Sequence, residues 1–173
     1  NIWLHGTPSR EYARAPRSTN GCVVLANDDM RLLLRELQPR RTPVLIARHI
    51  DWVAPQSLSG DRQFVRDLLG KWQTLRVEGD LRRLAGLYAR QFDNGDVNLT
   101  GWLQKLSRDV SDGRLARRQV GEPTVLSWQE QGDALFIEFP ETDGAQPGRS
   151  LRRRQYWARD SGQWKIFSEG VSE

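Results

Sequence analysis

Two side chains in this sequence could form a nucleophile and its base. Cys22 is the only cysteine, and it follows His5 by 17 residues. A thiol is a strong nucleophile only as the thiolate, and an imidazole is the usual group that removes its proton. Residues 18–21 read Ser-Thr-Asn-Gly, which favours a tight turn with backbone N–H groups able to face an oxyanion. From the residues alone, Cys22 is either a nucleophile or a small buried hydrophobic residue.

The residues around this pair match a known pattern: His5-Gly6-Thr7, then Ser18, Gly21 and Cys22, followed by the apolar run Val23-Val24-Leu25. This segment resembles the second half of the L,D-transpeptidase catalytic domain of the YkuD type. The resemblance implies that Cys22 is the nucleophile and His5 is the base. It also implies that backbone N–H groups at Gly21 and Cys22 hold the oxyanion, and that the carbonyl of Gly6 orients the imidazole.

Two positions depart from the family pattern. Many members have a second histidine directly before the Gly-Cys pair, where this chain has Asn20. An amide cannot act as a base, so we expect Asn20 only to hydrogen-bond and to shape the turn. Members often carry Arg or Asn two residues after the cysteine, where this chain has Val24. Ser18 and Thr19 are expected to support the turn.

The resemblance implies a cysteine L,D-transpeptidase that acts on peptidoglycan stem peptides in the periplasm or cell envelope of a Gram-negative bacterium. Cys22 would form a thioester at the diamino acid and release D-alanine. Water in place of the amine acceptor would give an L,D-hydrolase or carboxypeptidase. A non-catalytic envelope interaction module is the third alternative. No cofactor and no metal are expected.

The rest of this segment is expected to complete part of a β-sandwich. Asn27 is predicted to cap a helix whose apolar residues face the core, and residues 42–47 are predicted to form the last strand. The apolar helix residues are Met30, Leu33, Leu34 and Leu37. The family domain has about as much sheet again before the histidine. The chain would therefore be either a fragment of a longer protein or a truncated gene product, and we expect a fragment. We assign residues 1–47 to this domain.

Residues 48–60 are predicted to be a linker, since Pro, Ser and Gly interrupt every regular period there, and His49 is expected to be an ordinary surface histidine. The second domain is assigned to residues 61–173. Helical periodicity predicts three helices, the second capped by Asp80. Alternation predicts four antiparallel strands over residues 123–130, 134–139, 150–158 and 163–168. Leu126 and Trp128 are predicted to face the helices.

This order resembles the NTF2-like (SnoaL-like) fold, so the predicted fold class is α+β: a partial L,D-transpeptidase sandwich followed by an NTF2-like cone of three helices on a curved antiparallel sheet. Some relatives use a His-Asp pair inside the cone, but residues 61–173 contain no histidine. We therefore expect the second domain to dock, as a homodimer or with an envelope protein, through its sheet.

The charge pattern argues against a nucleic-acid partner. The formal net charge is +4 and the sequence pI is about 9.7, but the arginines are scattered among acidic residues. The densest cluster, Arg152 to Arg154, lies in an alternating segment, where one arginine is expected to point inward and the others to solvent. No apolar run reaches the roughly 18 residues that a membrane span needs.

Overall fold

A computed structural model of the chain describes residues 3–12, 14–15, 19–38, 42, 44–129, 132–144, 148 and 150–172. The chain divides into two compact units, Asn1–Asp51 and Trp52–Glu173, and each is described by itself. Within the described ranges, no helix combines the length and the apolar character that crossing a membrane requires.

The described residues of the first unit form two short parallel strands and one helix. Strand β1 (Leu4–Gly6) pairs with strand β2 (Val23–Leu25), and helix α1 (Asn27–Glu36) follows directly. Acidic side chains in the first turn of α1 complement the positive end of the helix dipole. The capping prediction is wrong: Ala26 occupies the N-cap position, no side chain caps the helix, and Asn27 is its first residue.

Helix α1 does not bury its apolar side chains as the sequence suggested. No residue of α1 is buried, and Leu34 is 60% exposed. Val44–Ala47, predicted as a strand, are also unpaired and exposed. Burial and strand pairing both need a neighbouring surface, and among the described residues of this unit the sheet consists only of β1 and β2. The predicted helix is present, but the predictions that it buries its apolar residues and that the chain forms a last strand at residues 44–47 are wrong.

The second unit begins with helices. After a 3₁₀ turn at Pro55–Leu58 come α2 (Ser59–Glu78), α3 (Leu81–Ala85) and α4 (Leu99–Ser111). The turn and the first residues of α2 thus lie inside the segment predicted as a linker. Helix α2 ends where Gly79 adopts a left-handed φ of 71°. Asp80 caps α3 by accepting a hydrogen bond from the N–H of Arg83 at 2.9 Å, which confirms that cap.

A five-stranded antiparallel sheet completes this unit. Its strands are β3 (Arg118–Val120), β4 (Thr124–Trp128), β5 (Ala134–Asp143), β6 (Ser150–Asp160) and β7 (Gln163–Ser172). The order is β3-β5-β6-β7, and β4 pairs with the first part of β5. The four predicted strands are present, and β3 is an addition. The mixed helix and sheet content makes the fold class α+β, with helices packed on an antiparallel sheet in this unit.

Alternate residues of the sheet face the helices. The inner face carries Leu135, Ile137 and Phe139 from β5, and each is less than a tenth exposed. On β4 the prediction was one residue out of phase: Val125 packs against the core, while Leu126 pairs with Phe136 on the outer face. The buried core comprises Val65, Leu69, Trp72, Leu75, Leu84, Leu87, Tyr88, Phe92, Trp102, Leu106, Leu115, Leu135, Ile137, Phe139, Trp157 and Ile166.

A β-bulge in β7 determines which of its residues point inward. The register places Trp157 opposite Ile166 but Tyr156 opposite Ser168, so Phe167 is the extra residue. The bulge reverses the alternation, and Glu169 therefore points inward although it lies three residues after Ile166. Both Ile166 and Glu169 are fully buried.

Four buried charges and a phenol form one network in the interior of the second unit. Glu141 accepts from Arg76 at 2.7 Å and from Arg153 at 2.8 and 2.5 Å. Arg153 also donates to Glu169 at 2.6 Å, and Tyr88 donates to the second oxygen of Glu169 at 2.7 Å. The charges of the two guanidinium groups and the two carboxylates sum to zero. Their mutual attraction offsets much of the desolvation cost of burying them.

Aromatic and amide groups surround this network. The guanidinium of Arg76 lies 4.1 Å from the ring centroid of Trp72, whose indole N–H donates to Tyr88 at 3.2 Å. Gln155 donates to Glu169 at 3.2 Å and accepts from the indole N–H of Trp157 at 2.9 Å. The network is thus fixed to the apolar core on both sides.

The ionisation states follow from these contacts. Burial raises the pKa of the Glu141 carboxyl, but the charges of Arg153 and Arg76 outweigh burial and hold that pKa below its usual value. Burial and the nearby Glu169 charge raise the pKa of Tyr88 well above its usual value. At neutral pH Glu141 is therefore an acceptor and Tyr88 a donor.

The three consecutive arginines of β6 divide as predicted. Arg153 points inward, while Arg152 and Arg154 lie on the outer face and both donate to Glu138, at 2.7 and 2.6 Å. The expectation of one inward arginine is confirmed. Three arginines that are consecutive in sequence therefore take part in two separate groups of ion pairs, one on each face of the sheet.

Removing one buried carboxylate should destabilise the second unit strongly. Glu141→Ala leaves the guanidinium groups of Arg76 and Arg153 without their shared partner, so we expect the free energy of unfolding to fall by about 3–5 kcal/mol. Urea unfolding followed by tryptophan fluorescence measures it. Asp133→Ala is the control, because it removes an exposed partner of Arg159 at 2.9 Å and should change stability by at most about 1 kcal/mol. Equal effects of the two substitutions would contradict the structural importance of the network.

Candidate active site

The pairing of β1 with β2 positions the predicted nucleophile and base. His5 lies opposite Val24, and the N–H of Val23 donates to the carbonyl of Trp3 at 2.9 Å, which extends the pairing to the level of Cys22. Cys22 precedes Val24 by two residues. This register puts His5 and Val24 on the same face of the two strands, and Cys22 lies directly before β2. Two residues 17 positions apart in sequence are thus carried by β1 and by the residue that leads into its neighbouring strand.

The imidazole of His5 is held in one orientation by its neighbour. Its Nδ1 lies 2.8 Å from the carbonyl oxygen of Gly6. A carbonyl oxygen can only accept, so Nδ1 is the donor in this hydrogen bond, and the neutral imidazole then has its lone pair on Nε2. This is the tautomer that a general base needs. His5 is half-buried, which leaves part of the ring accessible.

The turn before Cys22 has the geometry that its residue types suggested. Gly21 adopts a φ of +93°, in the region that favours glycine. The hydroxyl of Thr19 donates to the carbonyl oxygen of Cys22 at 2.8 Å and ties the turn to the start of β2. Asn20 is exposed on the turn, and Ser18 lies outside the described residues. Cys22 is a free, half-exposed thiol.

Thr7 has a structural role that the sequence analysis did not assign. Thr7 is 8% exposed, and its hydroxyl donates to the carbonyl oxygen of Glu11 at 2.5 Å. The N–H of Glu11 donates to the carbonyl of Pro8 at 2.9 Å, which closes a turn directly after β1. The available signal for this role was the place of Thr7 in the His-Gly-Thr motif. A threonine that is buried there needs a hydrogen-bond partner for its hydroxyl.

The other candidate groups of this unit do not form a second site. The Nε2 atom of His49 lies 2.8 Å from Asp51, and both side chains are about four-fifths exposed, so His49 is a surface residue as expected. Across the described ranges, no three His, Cys, Asp or Glu side chains converge on a position that could hold a metal ion.

The family comparison concerns the residues that carry this site. Residues 1–46 match the model of YkuD, the L,D-transpeptidase catalytic domain. A comparison with curated proteins gives no match. The family match covers both strands, the turn before Cys22 and helix α1, and it confirms the resemblance in the sequence of this segment.

Two solved structures resemble nearly the whole chain in fold. Bd1075 from Bdellovibrio bacteriovorus is 19% identical, with a TM-score of 0.70, over 99% of this chain and 60% of that chain. The helical cell shape determining protein Pgp2 from Campylobacter jejuni is 18% identical, with a TM-score of 0.64, over 96% of this chain and 59% of that chain. An NTF2-like protein of unknown function from Pseudomonas putida KT2440 is 14% identical, with a TM-score of 0.49, over 66% of this chain and 87% of that chain. This chain thus spans about 60% of the length of the first two structures.

Substitution of Gly21 tests the backbone requirement of the turn. A side chain at this position would meet no atom within 4 Å, so Gly21→Ala is strained only by its positive φ, at about 1–2 kcal/mol. We expect the Val23 amide to exchange with solvent about tenfold faster, measured by hydrogen exchange with mass spectrometry. Gly60→Ala in α2 is the control, since its new side chain also meets open space but its φ is not positive. Unchanged exchange at Val23 in Gly21→Ala would show that the turn tolerates a side chain.

Proposed function

We propose that the protein is a cysteine L,D-transpeptidase that acts on peptidoglycan stem peptides. The observation that supports this proposal is the β1–β2 register, in which His5 pairs with Val24, two residues after Cys22, while Nδ1 of His5 is held by the carbonyl of Gly6. The family match of residues 1–46 supplies the reaction class.

The first half-reaction uses both groups. Nε2 of His5 takes the thiol proton, and the Cys22 sulfur attacks the carbonyl carbon of the diamino acid at the third position of the stem. The C–S bond forms, the amide bond to D-alanine breaks, and His5 returns the proton to the leaving amine. Backbone N–H groups at Gly21 and Cys22 are proposed to hold the oxyanion, since the positive φ of Gly21 shapes the backbone there.

The second half-reaction regenerates the thiol. An amine acceptor attacks the thioester carbon, His5 removes the amine proton, and the Cys22 sulfur leaves as the thiol. Asn20 and Thr19 support the turn and take no proton in this scheme. The product is a peptide bond between two stems.

Hydrolysis is the second candidate activity of the same site. Val24 lies on the face of His5, where many family members have Arg or Asn. An apolar side chain offers no hydrogen bond to an amine acceptor, which favours water as the second nucleophile. The product would then be a shortened stem in place of a cross-link.

The proposed compartment is the periplasm or cell envelope, because peptidoglycan is found there. The Campylobacter protein of similar fold is described as determining helical cell shape. Remodelling of the cell wall is a direct way to change cell shape, so a role of the present protein in cell-wall organisation agrees with the proposed substrate.

A carbapenem should acylate the intact protein once, at Cys22. We expect one adduct by intact mass in wild type and none in Cys22→Ala. His5→Gln should slow acylation by about 10²- to 10⁴-fold, the usual contribution of a general base. His49→Gln is the matched control and should react like wild type, because His49 is exposed and paired only with Asp51. Absence of an adduct on folded wild-type protein would refute the enzymatic proposal and leave the interaction module.

A muropeptide digest then separates the two activities. Incubation of the intact protein with tetrapeptide-rich peptidoglycan should give 3–3 cross-links for a transpeptidase. Tripeptides alone, without new cross-links, would assign the site to a hydrolase.

The outer face of the NTF2-like sheet is the proposed docking surface, with a second copy of the chain as its occupant. Phe136 and Tyr156 lie in ring contact at 5.0 Å, and Tyr156 and Trp128 are 45% and 37% exposed. Aromatic residues of this kind are enriched at protein interfaces. Arg152 and Arg154 both form ion pairs with Glu138 on this face.

Light scattering after size-exclusion chromatography tests this surface. We expect a dimer mass for wild type and a monomer mass for the double variant Trp128→Lys/Tyr156→Lys. Val77→Lys is the control: Val77 is also 45% exposed but lies on α2, so the dimer should persist. A monomeric wild type would exclude the homodimer and leave another envelope protein as the partner.

A further inference from the structure

Asn27 occupies the space beside Gly6 that a side chain would need. A Cβ atom placed on Gly6 would lie 2.1 Å from Oδ1 and 3.3 Å from Cγ of Asn27. Atoms do not approach this closely, so a side chain at residue 6 would force the Asn27 amide out of its present position. The absence of a side chain at Gly6 therefore lets the Asn27 amide pack directly on the backbone of β1.

This packing lies behind the proposed active site. Adjacent residues of a strand point to opposite faces, so the side of Gly6 that meets Asn27 is opposite to the side of His5. The carbonyl of Gly6 is also the acceptor that holds Nδ1 of His5 at 2.8 Å. One residue thus receives packing from Asn27 on one side and fixes the imidazole on the other.

Asn27 has no capping function that would explain its position. Ala26 is the N-cap of α1 and no side-chain hydrogen bond caps the helix. Gly6 needs external support, because glycine has more backbone freedom than any other residue. Any rotation of its peptide group would move the carbonyl that selects the His5 tautomer.

We propose that Asn27 is a positioning residue for the proposed reaction: it restrains Gly6, and Gly6 restrains the imidazole of His5. This inference rests on the proposed function and extends it to a residue that contacts no substrate. It assigns the glycine of the His-Gly pair two linked tasks, to accept the imidazole hydrogen bond and to leave space for the amide.

Kinetics of D-alanine release from a tetrapeptide substrate by the intact protein test the proposal. Asn27→Ala should lower kcat about tenfold and leave KM unchanged, because it loosens the base without touching the substrate. Gly6→Ala should lower kcat at least as much through the clash with Asn27. The double variant Gly6→Ala/Asn27→Ala removes the clash and should recover to the level of Asn27→Ala. Additive losses in the double variant, or a change in KM alone, would overturn the proposal.

Asp29→Ala is the matched control. Asp29 lies in the same first turn of α1, is exposed, and is expected to keep the wild-type kcat. A similar loss of kcat in Asp29→Ala and Asn27→Ala would assign the effect to the helix in general and overturn the role of Asn27.

A spectroscopic readout separates this proposal from the proposed function. The ¹⁵N NMR signals of neutral His5, assigned with His5→Gln, should show the Nδ1–H tautomer in wild type and a mixture of tautomers in Asn27→Ala. If wild type shows that tautomer but neither releases D-alanine nor accepts a carbapenem, the proposed function fails while the positioning role stands. Identical tautomer populations in wild type and Asn27→Ala overturn the positioning role, whatever the activity.

Discussion

The proposed chemistry of this chain depends on the register between two strands of three residues each. Parallel pairing of His5 with Val24 sets the face of the imidazole and brings β1 beside the residues that follow Cys22. A slip by one residue would turn His5 to the other face and separate the pair. Three residue pairs supply little stability by themselves, so the strand ends need support. The Thr7 and Thr19 hydroxyls give it, through hydrogen bonds after β1 and before β2.

The second unit uses charge in a different way. Its inner sheet face carries ion pairs of Arg76 and Arg153 with Glu141 and Glu169, all buried. Such a network is not a strong source of net stability, because desolvation offsets much of the attraction between the charges. It does specify one arrangement of α2, β5, β6 and β7, since any other register leaves a charge without its partner.

The sequence predicted the element types well and the phase of several elements poorly. The prediction for β4 placed Leu126 on the inner face, but Val125 faces inward. Adjacent apolar residues do not show which of the two belongs to the buried face, so the alternation could not be assigned correctly from the sequence. Glu169 was missed because the bulge at Phe167 reverses the alternation, and no local pattern marks such an insertion. The exposed residues of α1 show another limit: an apolar stripe predicts a face suited to burial, but whether it is buried depends on what covers it.

In the candidate site, the residue types and their spacing were predictable, whereas the support of the site was not. Sequence identifies His5, Gly6 and Cys22 because the motif fixes their order. It could not identify the contact between Asn27 and Gly6, because helix-capping rules explain an asparagine at that position equally well. The replacement of a second histidine by Asn20 makes the contact more important. With an amide at that position, His5 is the titratable partner that the motif offers to Cys22. The tautomer of the His5 ring then depends on its hydrogen bond to the carbonyl of Gly6. That carbonyl belongs to a glycine, the residue least able to hold its own conformation, and the packing of Asn27 against it supplies the missing restraint.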